Sequence, residues 1–184
     1  MLSLLLRKGA IIRRESVLRR VQFRDLALLV RLRTSEDIQA QLIAPQFSTS
    51  IFSALAWIHR SVSSKRRVFR VISVSRWKTG IGFLVLFLPE NPYDAPLVGL
   101  AIRPNHQGGA GAIAMIEAIR LAKNMGFEAI RLSVRVDNLR ARNLHESLGF
   151  RPVSRETRTY FQGSVPTETM ELSLGKKSRK NLDT

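Results

Sequence analysis

Apolar residues with the spacing of β-strands occupy the middle of the chain. Residues 67–75 are rich in β-branched and aromatic side chains, and residues 81–88 form a nearly continuous apolar run. Residues 76–80, which end in glycine, are predicted to be the turn of an antiparallel hairpin between these two strands. A third apolar stretch, residues 97–102, predicts another strand that stops before Pro104.

A helical period follows these strands. In residues 109–125 apolar side chains recur every three or four positions, which predicts an amphipathic helix that packs on a sheet and ends at Gly126. Residues 130–136 alternate between apolar and polar side chains, as in a half-buried strand. The fold class is therefore predicted to be α/β. The same criteria predict further strands at 17–22, 151–161 and 167–174, and helices at 25–42, 50–62 and 138–148.

A glycine-rich turn joins the strand at 97–102 to the long helix. It reads His-Gln-Gly-Gly-Ala-Gly over residues 106–111. Glycines let consecutive backbone N–H groups converge, and a helix N-terminus carries partial positive charge, so the turn is suited to a diphosphate. Such a turn also serves a purely structural purpose in many α/β proteins, and both interpretations stay open. A P-loop and a Rossmann turn are excluded because Gly-Lys-Ser/Thr and Gly-x-Gly-x-x-Gly are missing.

A second motif starts where the alternating strand ends. Residues 138–150 read Asn-Leu-Arg-Ala-Arg-Asn-Leu-His-Glu-Ser-Leu-Gly-Phe. The succession of strand, glycine turn, long helix, strand, Asn-x-x-Ala and Leu-Gly-Phe resembles the Gcn5-related N-acetyltransferase (GNAT) superfamily. The resemblance implies one acetyltransferase domain at 17–174, with a central mixed, mostly antiparallel sheet flanked by helices. A basic arm at 1–16 would precede this domain and a basic tail at 175–184 would follow it.

The resemblance implies acetyl-CoA as cofactor. In the family the glycine turn cradles the diphosphate, and the preceding strand separates from its neighbour at a bulge and offers main-chain hydrogen bonds to the pantetheine arm. Asn138 would also bind pantetheine, although asparagine caps helices in any protein, and Ala141 would leave space for the cofactor. The turn is one residue shorter than the family pattern, which leaves its side-chain assignments open. The remaining residues assigned to the cofactor are Leu100, Ala101, Ile102, His106, Gln107, Gly108, Gly109, Ala110, Gly111 and Ala112.

His145 stands where the family usually has a catalytic tyrosine, seven residues after the asparagine. Because an imidazolium can donate a proton, one hypothesis makes His145 the general acid that protonates the leaving thiolate. In the alternative, His145 only packs near the cofactor and water supplies the proton. No carboxylate lies in residues 97–102. A water relay is therefore expected as general base, ahead of Glu90, Asp94 and Glu128.

The composition limits the kinds of reaction that the chain can catalyse. The chain has 184 residues and no cysteine, which excludes disulfides, zinc–thiolate sites and a thiol nucleophile, and no metal site is expected. The resemblance then implies direct attack of a primary amine on acetyl-CoA, with a peptide N-terminus or a small amine as acceptor. The longest apolar run, at 81–88, is too short to span a membrane, and a cytoplasmic protein is expected.

The net charge of +16 is concentrated towards the N-terminus. Residues 1–70 hold 14 basic and 4 acidic side chains. Such a field attracts anions, which disfavours a polycationic acceptor and leaves nucleic acid open as a partner. The alternative function is a non-catalytic coenzyme-binding module that docks nucleic acid or an acidic partner through this surface. A homodimer is compatible with the resemblance.

Overall fold

The computed structural model describes residues 16–36, 38, 50–74, 79–106, 109–160 and 163–175. Predictions that concern the arm before Ser16, Gln107, Gly108 and the tail after Gly175 lie outside these residues. So do residues 39–42 of the first predicted helix.

One sheet contains seven strands of the described residues, in the order β1-β2-β3-β4-β5-β7-β6. Neighbouring strands run antiparallel except β4 and β5, which are parallel. The predicted α/β class with a mixed, mostly antiparallel sheet is therefore confirmed. The strands are β1 (Ser16–Arg19), β2 (Arg67–Val74), β3 (Thr79–Phe87), β4 (Leu97–Ile102), β5 (Ala129–Arg135), β6 (Arg151–Tyr160) and β7 (Gly163–Ser173).

Helices flank this sheet at the predicted places, with one interruption. The first was predicted to run unbroken to residue 42, but it breaks after Thr34, where Ser35 has an extended backbone with ψ of 120°, and residues 36 and 38 are helical again. Within the described residues, no helix is long and apolar enough to cross a membrane. The helices are α1 (Leu26–Thr34), α2 (Ile51–Ser63), α3 (Ala110–Asn124) and α4 (Leu139–Ser147), with 3-10 turns at Phe23–Asp25 and Pro104–His106.

The hairpin between β2 and β3 is tighter than predicted. Thr79 and Gly80, assigned to the turn, pair with Val74 and Ser73 and belong to β3. The register then shifts, and Ile81 is the extra residue of a β-bulge. A buried bulge was not visible in the sequence because Ile81 continues the apolar run.

Two clusters of buried residues cover the two faces of the sheet. Helix α3 packs on one face through alanines spaced four residues apart, whose small side chains let the helix approach the strands closely. Helices α1 and α2 pack on the other face, where the rings of Trp57, Phe69 and Phe83 lie 5.2–5.5 Å apart. Strand β4 therefore lies between two packed layers, and α3 begins a few residues after its end.

Candidate active site

Strands β4 and β5 pair at one end and then separate. Leu97 lies opposite Arg131 and Val98 opposite Leu132, and the parallel ladder does not continue beyond them. The separation that the resemblance implied is therefore present, whereas the antiparallel ladder between β3 and β4 has no register shift up to Ile102 and shows no bulge on that side. A gap therefore opens beside residues 99–102 of β4 while its other edge stays fully paired.

The alternation along β4 decides which backbone groups face this gap. Arg103 donates its backbone N–H to the carbonyl of Ile81 at 2.9 Å. Because antiparallel pairs alternate along a ladder, the backbone of Ala101 also turns towards β3. Leu100 and Ile102 turn their N–H and C=O groups towards the gap. Of the three predicted strand residues, these two thus offer main-chain hydrogen bonds to a ligand, and Ala101 does not.

Helix α3 begins beside the gap with amides that lack partners in the described residues. Its N-cap is Gly109, which has a left-handed backbone with φ of 93°, and no side chain caps the helix. The first helical bond runs from the N–H of Ile113 to the carbonyl of Gly109, at 3.2 Å. The N–H groups of Ala110, Gly111 and Ala112 therefore have no intrahelical acceptor. Since the first turn also holds no acidic residue, it is suited to an anion.

Gly111 marks the place where β4, α3 and α4 meet. A Cβ atom on Gly111 would lie 3.4 Å from Leu144 of α4, 3.7 Å from Ile102 and 3.8 Å from Leu100. An alanine fits at these distances, in agreement with the glycine or alanine of the family pattern. The open edge of β4 and the first turn of α3 thus border the same space as α4.

His106 lies in the 3-10 turn between β4 and α3. Its Nδ1 atom is buried and has no hydrogen-bond partner among the residues that the structure describes. A buried ring nitrogen without a partner is expected to bind a ligand or water. Gln107 and Gly108, the other residues predicted for this turn, lie outside the described residues.

Asn138 is the N-cap of α4. Its Oδ1 atom accepts a hydrogen bond from the N–H of Ala141 at 3.1 Å. Capping uses only the oxygen, and in the described part of the chain the side-chain amide Nδ2 has no acceptor. One side chain can therefore cap the helix and also donate to a ligand, as the two sequence interpretations of Asn138 require.

Replacing Asn138 with serine should separate these two roles. Serine also caps helices, so the free energy of unfolding should stay within about 0.5 kcal/mol of wild type. The Nδ2 donor is lost, and we expect the affinity for acetyl-CoA to fall about fivefold, the worth of one neutral hydrogen bond. Calorimetric titration and urea denaturation measure the two quantities. Unchanged affinity in a stable Asn138→Ser protein would leave Asn138 with the capping role alone.

His145 is buried in α4, one turn after Ala141. The residue is 8% exposed, and its ring lies edge-on to Phe150 with a centroid distance of 5.9 Å. Within the described part of the chain, its Nδ1 atom has no hydrogen-bond partner. Burial lowers the pKa of His145 from 6.5 to about 4. At pH 7 only about one molecule in a thousand therefore carries the imidazolium that the general-acid hypothesis needs.

The carboxylates considered as general base lie away from the gap. Glu90 and Asp94 precede β4 and Glu128 precedes β5, which places all three at the paired end of these strands. All three are exposed. The gap opens at the opposite end, towards Ile102, so none of them lies along it.

Sequence reasoning missed Asp137, which precedes Asn138 at the open end of β5. Arg135 donates two hydrogen bonds to this carboxylate, at 2.9 and 2.6 Å, and these lower the pKa of Asp137. A carboxylate with a lowered pKa is a poor proton acceptor, so the pair positions the end of β5 and is not suited to general-base catalysis. The spacing Arg-x-Asp after a predicted strand was visible in the sequence, but no pattern indicated that the two side chains would meet.

The family model for the acetyltransferase (GNAT) family matches residues 40–150, or 111 of the 184 residues. The chain belongs to the GNAT acetyltransferase family. As a member of this family it is an acetyl-CoA-dependent N-acetyltransferase, and the predicted cofactor is confirmed.

Solved GNAT structures share its fold. Spermidine N-acetyltransferase from Vibrio cholerae, in complex with CoA and spermine, aligns with a TM-score of 0.76 and 20% identity over 87% of this chain and 96% of that one. A GNAT-family acetyltransferase from Bacillus anthracis aligns with a TM-score of 0.75 and 12% identity over 87% and 95% of the two chains. At these low identities the similarity shows a shared fold and nothing further. No curated protein sequence matches the chain.

The site of this GNAT enzyme fits coenzyme A in its polar groups. The free amides of α3 suit the diphosphate, and the open backbone groups of Leu100 and Ile102 suit the amides of the pantetheine arm. When bound, acetyl-CoA supplies the activated thioester. The unpartnered ring nitrogens of His106 and His145 are further groups that a polar ligand can satisfy.

Proposed function

We propose that the enzyme transfers the acetyl group to a primary amine by direct attack, without a covalent enzyme intermediate. The observation that supports this most is the gap between β4 and β5, which leaves the backbone of Leu100 and Ile102 open at the end of β4 next to α3. An N–H group in this gap can hydrogen-bond a carbonyl oxygen as negative charge develops on it. The absence of cysteine agrees with direct attack.

The charges of the chain favour an acceptor that is not a polycation. Of the eleven carboxylates in the described residues, all but Glu36, Asp94 and Glu128 form ion pairs with arginine. Few acidic groups are left to attract a polyamine such as the spermine bound to the Vibrio cholerae enzyme. A peptide N-terminus or a small monoamine therefore fits better. The paired carboxylates are Asp25, Glu90, Glu117, Asp137, Glu146, Glu156, Glu168 and Glu171.

A panel of amines tests this proposal. The protein is mixed with acetyl-CoA and, in turn, spermidine, a small monoamine and short peptides with free N-termini, and the released thiol is measured. We expect thiol release with a peptide or monoamine and little with spermidine. Binding of acetyl-CoA without transfer to any amine would contradict the proposal and would favour the coenzyme-binding module.

We further propose that water accepts the proton of the attacking ammonium, because the three carboxylates considered for this role lie at the paired end of β4 and β5. His145 remains the candidate residue that stabilises the leaving thiolate, but it does so as a neutral imidazole. A neutral N–H can donate a hydrogen bond to a departing thiolate, and since a thiol has a pKa near 8.5, water can complete the protonation.

Replacing His145 with phenylalanine should therefore lower kcat by about tenfold, the worth of one hydrogen bond to a charged group. Between pH 6 and 8 the ratio of the two kcat values should stay constant, because the imidazole is neutral throughout this range. Steady-state kinetics at several pH values measure both. If His145 acted as an imidazolium acid, the wild type alone would lose activity as the pH rises through 6.5. An unchanged kcat in His145→Phe would show that the hydrogen bond plays no part in the mechanism.

The boundaries and setting of the enzyme stay predictions. We propose residues 17–174 as one catalytic domain, supported by a single sheet whose first strand starts at Ser16 and whose last strand in the chain, β7, ends at Ser173. A cytoplasmic location is also proposed, and a homodimer is proposed on the family resemblance. Size-exclusion chromatography with light scattering tests the dimer.

A further inference from the structure

An open cleft lies between the start of α1, the start of β3 and the residue after β4. Its volume is about 340 Å³. It borders helix α1, which belongs to the face opposite α3, so it is distinct from the first turn of α3. The residues that line it are Arg24, Asp25, Ala27, Leu28, Arg31, Thr79, Gly80 and Arg103.

The cleft is strongly cationic. Within the described residues, the guanidinium groups of Arg24, Arg31 and Arg103 have no ion-pair partner. The only carboxylate in the lining is Asp25, which is 2% exposed and accepts hydrogen bonds from two nitrogens of Arg19, each at 2.6 Å. Arg19 therefore neutralises the charge of Asp25, and the other charged residues of the lining are three arginines.

An exposed aromatic residue adjoins the cleft lining along the chain. Phe23, directly before Arg24, is 89% exposed. It belongs to a 3-10 turn that is fixed by Asp25, whose carboxylate also accepts the backbone N–H of Gln22 at 2.8 Å. These contacts fix the backbone of the turn at Phe23 and Arg24, whose side chains are both exposed. Nothing in the acetyl-CoA site requires an exposed phenylalanine here.

We propose that this cleft binds single-stranded nucleic acid, with phosphates on Arg24, Arg31 and Arg103 and a base stacked on Phe23. Proteins that bind single strands combine cationic side chains, which contact the phosphates, with exposed aromatic rings, on which the bases stack. An acidic peptide would use the arginines but gains little from the ring. This inference goes beyond the proposed acetyl transfer and does not rest on it.

The test mixes the full chain with a labelled 12-nucleotide oligouridine and measures binding by fluorescence anisotropy at several salt concentrations. For Arg24→Gln/Arg31→Gln we expect about tenfold weaker binding and a salt slope shallower by about 1.4, since each lost phosphate contact removes about 0.7. Phe23→Ala should also weaken binding by about tenfold, the effect of one lost stacked base. The matched control is Arg60→Gln/Arg151→Gln, which removes the same charge from exposed residues of α2 and β6 and should bind like wild type.

Several outcomes would overturn the proposal. Equal weakening in the control would show a diffuse charge effect, and wild-type affinity in Phe23→Ala would exclude base stacking. Displacement of the RNA by CoA but not by 3′-dephospho-CoA would assign the cleft to the cofactor's phosphate, and stronger competition by oligoglutamate would assign it to an acidic protein. Transfer to a small amine, measured on the same proteins, should be unchanged in Arg24→Gln/Arg31→Gln. Failure of all variants and wild type in that assay would count against acetyl transfer and leave the RNA result intact.

Discussion

Replacing Gly109 with alanine should lower the affinity for acetyl-CoA by about tenfold or more. The left-handed backbone of Gly109, with φ of 93°, costs a residue with a Cβ about 1–2 kcal/mol. The chain can relieve this strain only by rotating the residue that starts α3. Such a rotation turns away the N–H groups of the first turn, which we propose to hold the diphosphate. Calorimetric titration with acetyl-CoA measures the loss.

Gly126 provides the matched control for this experiment. It follows the other end of α3 and has nearly the same backbone, with φ of 91°. Gly126→Ala should therefore destabilise the protein as much as Gly109→Ala, by about 1 kcal/mol, without changing the affinity for acetyl-CoA. Thermal unfolding checks that the two variants are equally destabilised. If both lose affinity to the same degree, the effect comes from stability and the first turn of α3 is not the cradle.

The turn before α3 was the part of the site that the sequence predicted best. A glycine at a helix start, an apolar strand before it and a three-to-four period after it are local features, and each is written in adjacent residues. The pairing register of β4, by contrast, is not determined by adjacent residues. Whether Leu100 or Ala101 turns its backbone to the gap depends on pairing with β3, about 20 residues earlier, which the apolar run could not fix.

Burial was the other property that the sequence could not supply. Asn138 was interpreted correctly as a helix cap because capping depends on the next three residues. His145 follows in a helix whose other residues are mostly polar, and its spacing gives no sign that Phe150 would close over it. Its charge state depends on that enclosure. The general-acid hypothesis was therefore chemically reasonable for a free histidine and conflicts with the environment that the fold gives this one.

The buried His145 should also make the enzyme sensitive to mild acid. Because burial lowers its pKa from 6.5 to about 4, the unfolded chain binds the proton more tightly than the folded one. The stability that the neutral ring contributes is present above about pH 6.5 and is lost as the pH falls towards 4, in total about 3 kcal/mol. By pH 5 the loss is about 2 kcal/mol.

His145→Phe should abolish this part of the pH dependence. The substituted ring keeps an apolar contact with Phe150 and cannot be protonated, so between pH 7.5 and 5 the variant should gain about 2 kcal/mol relative to wild type. Urea denaturation at both pH values measures the difference. His59→Gln, at an exposed position of α2, is the control and should follow the wild type. Parallel pH curves for wild type and His145→Phe would mean that the ring titrates equally in the folded and unfolded chain, and hence that it is not enclosed between α4 and Phe150.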